Sequence, residues 1–121
     1  NTSSAPSAIG AYSQATVVDN IIFTSGQIAI NPNTNTVVDS SFRDEVLQVL
    51  NNIESILKSE GSSLDNVIKF TVFLIDLNNF SILNEVFSEK LTINNYPSRS
   101  VVEVLALPKG VNLEIEAIAK I

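Results

Sequence analysis

The segment at residues 67–75 constrains the fold most, because it is apolar at both odd and even positions apart from Lys69 and Thr71. A strand with one solvated face alternates apolar and polar residues, whereas a strand buried on both faces does not. The pattern therefore predicts a central strand that needs cover on both sides of its sheet.

Two helical patterns supply part of that cover. Residues 42–60 carry apolar side chains at helical spacing behind Ser41, a good N-terminal cap, and residues 80–91 carry a shorter apolar stripe. Residues 1–7 are expected to be a loose lead-in, and residues 31–36 a turn-rich loop. Alternating or β-branched runs predict further strands at residues 12–18, 21–25, 28–30, 99–105 and 111–120.

This order of elements predicts one α+β domain over residues 1–121, with two helices packed on one face of a mixed sheet. Two helices of these lengths cover only one face, so we expect another copy of the chain to cover the second. Period-2 alternation groups Glu114 with Glu116 and Arg99 with Glu103. We expect all four charged side chains to point away from the helices, towards the interface between copies.

Composition narrows the chemistry that the chain can perform. It contains no Cys and no His, which excludes a disulfide, a thiol nucleophile, a His-based triad and metal ligation by His. Any acid or base must be a carboxylate, a Tyr, a Lys or water. The formal net charge of −6, with no run of basic residues, argues against binding nucleic acid through its phosphates. No apolar stretch approaches the ~20 residues of a membrane span.

The same features predict a cytoplasmic protein. The chain begins with Asn1 rather than Met. Removal of a targeting segment, and with it an organellar location, therefore stays open.

The stretch at residues 95–104 offers the sharpest functional hypothesis. Arg99 stands where a Pro-containing loop turns into a β-branched strand, a junction that can hold a guanidinium still with its fork open. Arg grips a planar carboxylate with two parallel hydrogen bonds, so Arg99 is a candidate anchor for a small acid. On spacing alone, a surface or interface ion pair is the commoner role of such an arginine.

Four colinear blocks of the chain resemble the RidA/YjgF family. They are AIGAYSQ at residues 8–14, SGQI at 25–28, VFL with Asp76, Phe80 and Asn84, and PSRS at 97–100 followed by Glu103, LPK and EIEAIA. The resemblance implies a chorismate-mutase-like α+β fold and a homotrimer with sites between subunits. It also implies cofactor-free and metal-free hydrolysis of 2-imino acids, such as 2-iminobutanoate and 2-iminopropanoate, to 2-oxo acids and ammonia.

The resemblance assigns roles by motif position. Arg99 would bind the substrate carboxylate, helped by the backbone N–H of Val101, and Glu114 would orient or activate the attacking water. The residues that would line the pocket are Tyr12, Ser25, Gly26 and Asn84, with Gly26 leaving room for the ligand. An imine carbon is already electrophilic, so positioning substrate, water and a carboxylate base suffices for this reaction.

Two positions depart from the family pattern. Ala11 stands where a Pro often follows the first motif Gly, which loosens the loop that presents Tyr12. Val101 stands where a Cys is frequent, and this change is neutral if only its backbone N–H is used. Both changes could shift substrate preference.

Each candidate also has a structural explanation. Glu114 alone would more often be a solvated strand residue, and Ser25 a strand-end hydroxyl bonded to backbone. Tyr12 could be a core residue or a pocket wall, and Asn84 an exposed helix residue.

The competing function is a non-catalytic protein that holds a small carboxylate as a sensor or acts as a chaperone. An RNA-cleaving role fits poorly with an acidic chain that lacks His.

Overall fold

The computed structural model describes residues 1–121, and a five-stranded sheet forms its centre. The elements in chain order are β1 (Ala15–Val18), β2 (Ile21–Thr24), β3 (Ile30–Asn31), β4 (Thr36–Val37), α1 (Phe42–Ser59), β5 (Val67–Leu74), α2 (Phe80–Lys90), β6 (Ser98–Glu103) and β7 (Leu113–Lys120). The strand order is β1-β2-β7-β5-β6, and only β5 and β6 run parallel. The predicted α+β class, with two helices and a mixed sheet, is confirmed. Neither helix combines the length and the apolar composition that crossing a bilayer requires.

Local sequence explains the two most regular features. The β1–β2 hairpin turns at Asp19 and Asn20, both of which have positive φ (48° and 64°), as a two-residue turn of this kind demands. Helix α1 begins behind Ser41, whose Oγ accepts a hydrogen bond from the Asp44 backbone N–H at 3.1 Å. It ends at Ser59, and Gly61, two residues later, has a φ of 77° that lets the chain turn away from the helix axis.

The core lies between the sheet and both helices. The inward side chains of β5 (Phe70, Val72 and Leu74) are fully buried, and the Phe70 ring meets Phe87 of α2 edge-to-face, with centroids 5.2 Å apart. The buried apolar side chains of α1 pack against the same sheet face and include Val46, Val49, Leu50, Ile53 and Leu57. Both helices therefore cover one face, as the sequence predicted.

The opposite sheet face has no covering element. Phe23 and Val102 are each 43% exposed there, while Phe73 and Ile118 are half-buried. β5 therefore receives cover from its own chain on one side only. These residues form two apolar pairs, Phe23 with Ile118 and Phe73 with Val102, and Thr71 and Glu116 lie between them on the same face. Exposed apolar patches with polar neighbours are typical of an association surface.

One loop prediction is wrong and a second is incomplete. Residues 1–7 are not a loose lead-in, because the buried side chain of Gln14 hydrogen bonds to Thr2, Ala5 and Pro6. Residues 31–36 are not simply a loop, because their ends form the two-stranded β3–β4 ribbon. A single side chain twelve residues away ties down the first segment, which local composition cannot reveal.

The predicted direction of Arg99 and Glu103 is also wrong. In β6, Arg99 pairs with Phe70, so its side chain lies on the helix face, and Glu103 shares that parity. Glu114 and Glu116 of β7 point to the open face, as predicted. Parity within a strand shows which residues share a face but not which face that is, and β6 is an edge strand beside the end of the helix layer. Charged side chains on its helix face therefore stay partly exposed.

Candidate active site

The residues predicted for one site line two separate cavities of the chain. A cavity of about 290 Å³ lies beside α2 and the start of β6, and it contains Asn84 and Arg99. A second cavity, of about 430 Å³, contains Tyr12, Ser25, Gly26 and Glu114. We call these the Arg99 pocket and the Glu114 pocket.

Arg99 is held firmly but has no anionic partner. Its Nη2 donates a hydrogen bond to Asn84 Oδ1 at 2.6 Å, and its Cζ lies 5.3 Å from the Phe80 ring centroid and 5.2 Å from that of Phe87. The two salt bridges of the structure lie elsewhere on the chain. Burial lowers the pKa of the Arg99 guanidinium from its usual value, although the group stays charged at neutral pH. This is the geometry of a fixed cation that can accept a carboxylate, and no ion pair competes for it.

The Glu114 carboxylate is the acidic group of the second pocket. Partial burial raises its pKa above the usual carboxyl value, and repulsion from Glu116 raises it further. A carboxylate with a raised pKa is a better proton acceptor when it is ionised, which suits activation of a water molecule. The structure contains no group of three or more acidic side chains that could hold a metal ion.

Gly26 makes space for Glu114. A methyl group added at Gly26, in the segment after β2, would overlap the Glu114 carboxylate, so a glycine here leaves room for the Glu114 side chain in its present conformation. The sequence analysis assigned the space beside Gly26 to a ligand. Within this chain, the Glu114 side chain occupies that space.

The remaining predicted residues have mixed surroundings. Ser25 Oγ donates to the Ser13 carbonyl at 2.6 Å, the strand-end bond that was the structural alternative for this hydroxyl. Tyr12 is half-exposed in the wall of the Glu114 pocket. Asn84 is an exposed helix residue whose amide oxygen nevertheless holds Arg99. The Val101 side chain packs against the core rather than into either pocket.

One chain cannot bring Arg99 and Glu114 together. Arg99 pairs with Phe70 and Glu114 with Phe73 on opposite edges of β5, and their side chains leave opposite faces of the sheet. Two strand spacings and three residues of rise separate their Cα atoms by roughly 14 Å. A substrate of four or five heavy atoms spans much less, so a site with both groups requires two copies of the chain.

The sequence analysis missed how Arg99 is supported. Phe80, Asn84 and Phe87 recur at the i, i+4 and i+7 spacing of one helix face, and all three surround the guanidinium. Reading that helix face together with Arg99 could have found the group. Lys109 was missed as well: it lines the Glu114 pocket in the left-handed region (φ 56°), between Pro108 and Gly110.

Comparison with known proteins agrees with this architecture. The profile of a family described as endoribonuclease L-PSP matches residues 2–121. A rat protein named 2-iminobutanoate/2-iminopropanoate deaminase is 46% identical over 98% of this chain and 86% of its own length. A RutC family protein from Pyrococcus horikoshii is 48% identical over 98% of this chain and 93% of its own.

Solved structures give the same result in three dimensions. RidA from an Antarctic Psychrobacter species is similar to the chain with a TM-score of 0.95 at 45% identity, covering 100% of this chain and 97% of that one. TdcF from E. coli, solved with bound serine, is similar with a TM-score of 0.91 at 43% identity, covering 100% and 96%. The chain therefore belongs to the endoribonuclease L-PSP family, to which the RidA-type motifs of its sequence pointed.

Proposed function

We propose that the protein hydrolyses small 2-imino acids, such as 2-iminobutanoate and 2-iminopropanoate, to 2-oxo acids and ammonia. The observation that carries the proposal is the Arg99 guanidinium, which is half-buried, is held by a hydrogen bond to Asn84 and has no carboxylate partner. The names of the rat relative and its mammalian counterparts support the reaction, and the serine bound to TdcF supports a small carboxylate ligand.

The chemistry asks little of the site beyond placement. Arg99 pairs with the substrate carboxylate and neutralises it, which leaves the protonated imine carbon open to attack. Glu114 orients a water molecule and accepts its proton as the new C–O bond forms. The proton then passes from Glu114 to the nitrogen, and Glu114 takes the hydroxyl proton as the C=O bond forms and the C–N bond breaks. Ammonia leaves and picks up that proton, so that the protonated imine and one water give one 2-oxo acid and one ammonium ion. No redox partner enters this balance.

The proposed site lies between copies of the chain, with Arg99 from one copy and Glu114 from the next. The separation of the two groups on opposite sheet faces supports this arrangement, as does the exposed apolar surface around Phe23 and Val102. A homotrimer, the assembly implied by the motif resemblance, closes such an arrangement with three equivalent sites. Enclosure between subunits also excludes bulk water and strengthens the pairing with Arg99.

A coupled assay tests the proposed reaction. A threonine dehydratase generates the unstable imine, and added protein is expected to accelerate formation of 2-oxobutanoate and ammonia above the rate with dehydratase alone. Arg99→Ala should lower that acceleration on the order of 100-fold or more, since it removes a partly desolvated charge pair. Arg43→Ala is the matched control, because Arg43 pairs with Glu89 outside both pockets. No acceleration by the parent, or full activity of Arg99→Ala, would contradict the proposal.

The family description also names an endoribonuclease, so RNA cleavage needs its own test. The net charge of −6 opposes binding to a phosphate backbone, and the chain has no His to act as the usual acid and base. We expect no cleavage of a mixed RNA substrate by highly purified protein. Cleavage that persists through purification and is lost in Arg99→Ala would favour the nuclease instead.

The Glu114→Gln variant distinguishes a protein that only binds small carboxylates from one that also hydrolyses imines. If the protein only holds small carboxylates, the parent and Glu114→Gln should bind 2-oxobutanoate equally and neither should turn over imine. The proposed reaction predicts that both bind but only the parent catalyses.

A further inference from the structure

Gln14 is only 2% exposed, and both polar atoms of its side chain form hydrogen bonds. Oε1 accepts a hydrogen bond from the Thr2 backbone N–H at 2.7 Å. Nε2 shares its two N–H groups among the carbonyls of Thr2 at 3.0 Å, Ala5 at 3.3 Å and Pro6 at 2.8 Å. One side chain thus makes four hydrogen bonds to a stretch of five residues. A polar group buried this deeply needs those partners, so the stretch and the amide depend on each other.

The stretch that Gln14 holds forms part of the Glu114 pocket. Ala5 is almost fully buried, and three residues that follow it, Pro6, Ser7 and Ile9, line the same cavity as Glu114. The backbone of Gln14 fixes the facing wall, because its carbonyl accepts the Ser25 N–H at 2.9 Å. Gln14 therefore connects the N-terminal wall of the pocket (residues 6–9) to the segment after β2 that carries Ser25 and Gly26.

We propose that Gln14 is a positioning residue for the reaction, which fixes the N-terminal wall and so sets how tightly the Glu114 pocket holds a small substrate. This inference rests on the proposed function for its substrate. Gln14 is itself among the residues that line this cavity, but its side-chain amide is bonded to the backbone of residues 2–6, so it acts by holding the wall rather than by contacting the reacting atoms. Its loss should therefore weaken binding more than it slows the chemical step.

Three variants separate this role from a general loss of structure. Gln14→Met keeps the length of the side chain and removes all four hydrogen bonds. Gln14→Glu keeps the shape but points an acceptor at three carbonyls, which it cannot bond when ionised. Deletion of residues 1–7 removes the held stretch itself. The matched control is Ser3→Ala, since Ser3 is exposed in the same segment and its side chain makes no hydrogen bond.

Hydrogen exchange is measured on the full-length parent and its point variants, and kinetics are measured on these proteins and on the deletion variant. We expect faster amide exchange in the peptide covering residues 1–12 for Gln14→Met and Gln14→Glu, with unchanged exchange in α1 and β5. KM for the imine should rise about tenfold while kcat changes less than about twofold. Adding Gln14→Met to the deletion should change KM no further, because both act through the same wall. Ser3→Ala should match the parent.

The possible failures are distinct. Unchanged exchange in both Gln14 variants, or faster exchange with unchanged KM, would overturn the role of Gln14. So would effects of Gln14→Met and of the deletion that simply add. A parent without imine hydrolysis would overturn the proposed function instead, and the dissociation constant for 2-oxobutanoate would then replace KM as the measure of the pocket. Absence of that binding too would overturn both proposals.

Discussion

At the scale of single residues, the protein sets its chemistry by controlling what lies beside each charge. Arg99 is surrounded by an amide oxygen and two aromatic rings, which hold the cation without neutralising it. Glu114 is partly buried and lies near a second acid, Glu116. Both effects disfavour its ionised form and so raise its pKa. In the proposed reaction, the Arg99 cation pairs with the substrate carboxylate, and the Glu114 carboxylate accepts a proton from the attacking water.

The raised pKa of Glu114 predicts the acid limb of the pH–rate profile. Activity should fall as pH drops through that raised pKa, because the protonated acid cannot accept a proton from water. Glu116→Gln removes the repulsive neighbour, so the pKa of Glu114 should fall and the acid limb of kcat/KM should move to lower pH. A limb that stays in place, or moves up, would show that Glu114 does not control it.

The same shift predicts a contribution of Glu114 to stability. Its pKa is raised in the folded state, so the folded chain binds the proton more tightly than the unfolded chain does. Stability from this group is fully present below the ordinary carboxyl pKa and is lost as pH rises through the raised value. Urea unfolding of Glu114→Gln across that window should lack this decline when compared with the parent.

Gly26 provides a second test at this scale. In Gly26→Ala the new methyl group collides with the end of the flexible Glu114 side chain, which can swing away at a cost below about 1 kcal/mol. Activity should therefore fall nearly as far as in Glu114→Ala, while the urea midpoint changes little. In a Glu114→Ala background the Gly26→Ala change should add no further loss of activity. Independent, additive losses would contradict the account.

At the scale of elements, local signals fix where helices and strands begin more reliably than which way they face. The β1–β2 turn at Asp19 and Asn20, and helix α1 behind Ser41, follow directly from turn and cap chemistry. The orientation of β6 does not, because it depends on pairing with β5 some thirty residues earlier. Long-range pairing decides the face, and a period-2 pattern carries no information about it.

The cap of α1 gives a prediction for this scale. Ser41→Ala removes the hydrogen bond to the Asp44 N–H and should lower the free energy of unfolding by about 1 kcal/mol. Ser63→Ala is the matched control, because Ser63 occupies the same position before a short 3-10 turn without a side-chain bond. Urea denaturation should show a shift for the first variant alone, and equal shifts would mean that the cap bond contributes nothing.

At the scale of the whole molecule, the proposed shared site depends on which side chains lie on the open sheet face. The fold class, the two helices and the candidate residues could all be predicted from sequence, since periodicity and four motif blocks carry them. The division of those residues into two pockets could not, because it follows from which sheet face each strand presents. The hold of Gln14 on residues 2–6 was equally hidden, as it joins segments with no shared pattern.

A charge placed on the open face should separate the copies. Phe23→Glu buries a carboxylate in the proposed interface, so we expect dissociation in sedimentation analysis, loss of imine hydrolysis and a retained far-UV spectrum. Val17→Glu is the matched control, because Val17 is equally exposed at 43% on the other face of the same hairpin. A dissociated but fully active Phe23→Glu protein would contradict a shared site.

Subunit mixing tests the central claim most directly, namely that Arg99 of one copy and Glu114 of another act on one substrate. Arg99→Ala and Glu114→Ala should each be inactive alone. When the two variants are co-expressed in equal amounts, random assembly into a closed ring leaves about a quarter of the sites with both groups intact. We therefore predict recovery of about a quarter of the parent activity, and a mixture as inactive as either variant would contradict the account.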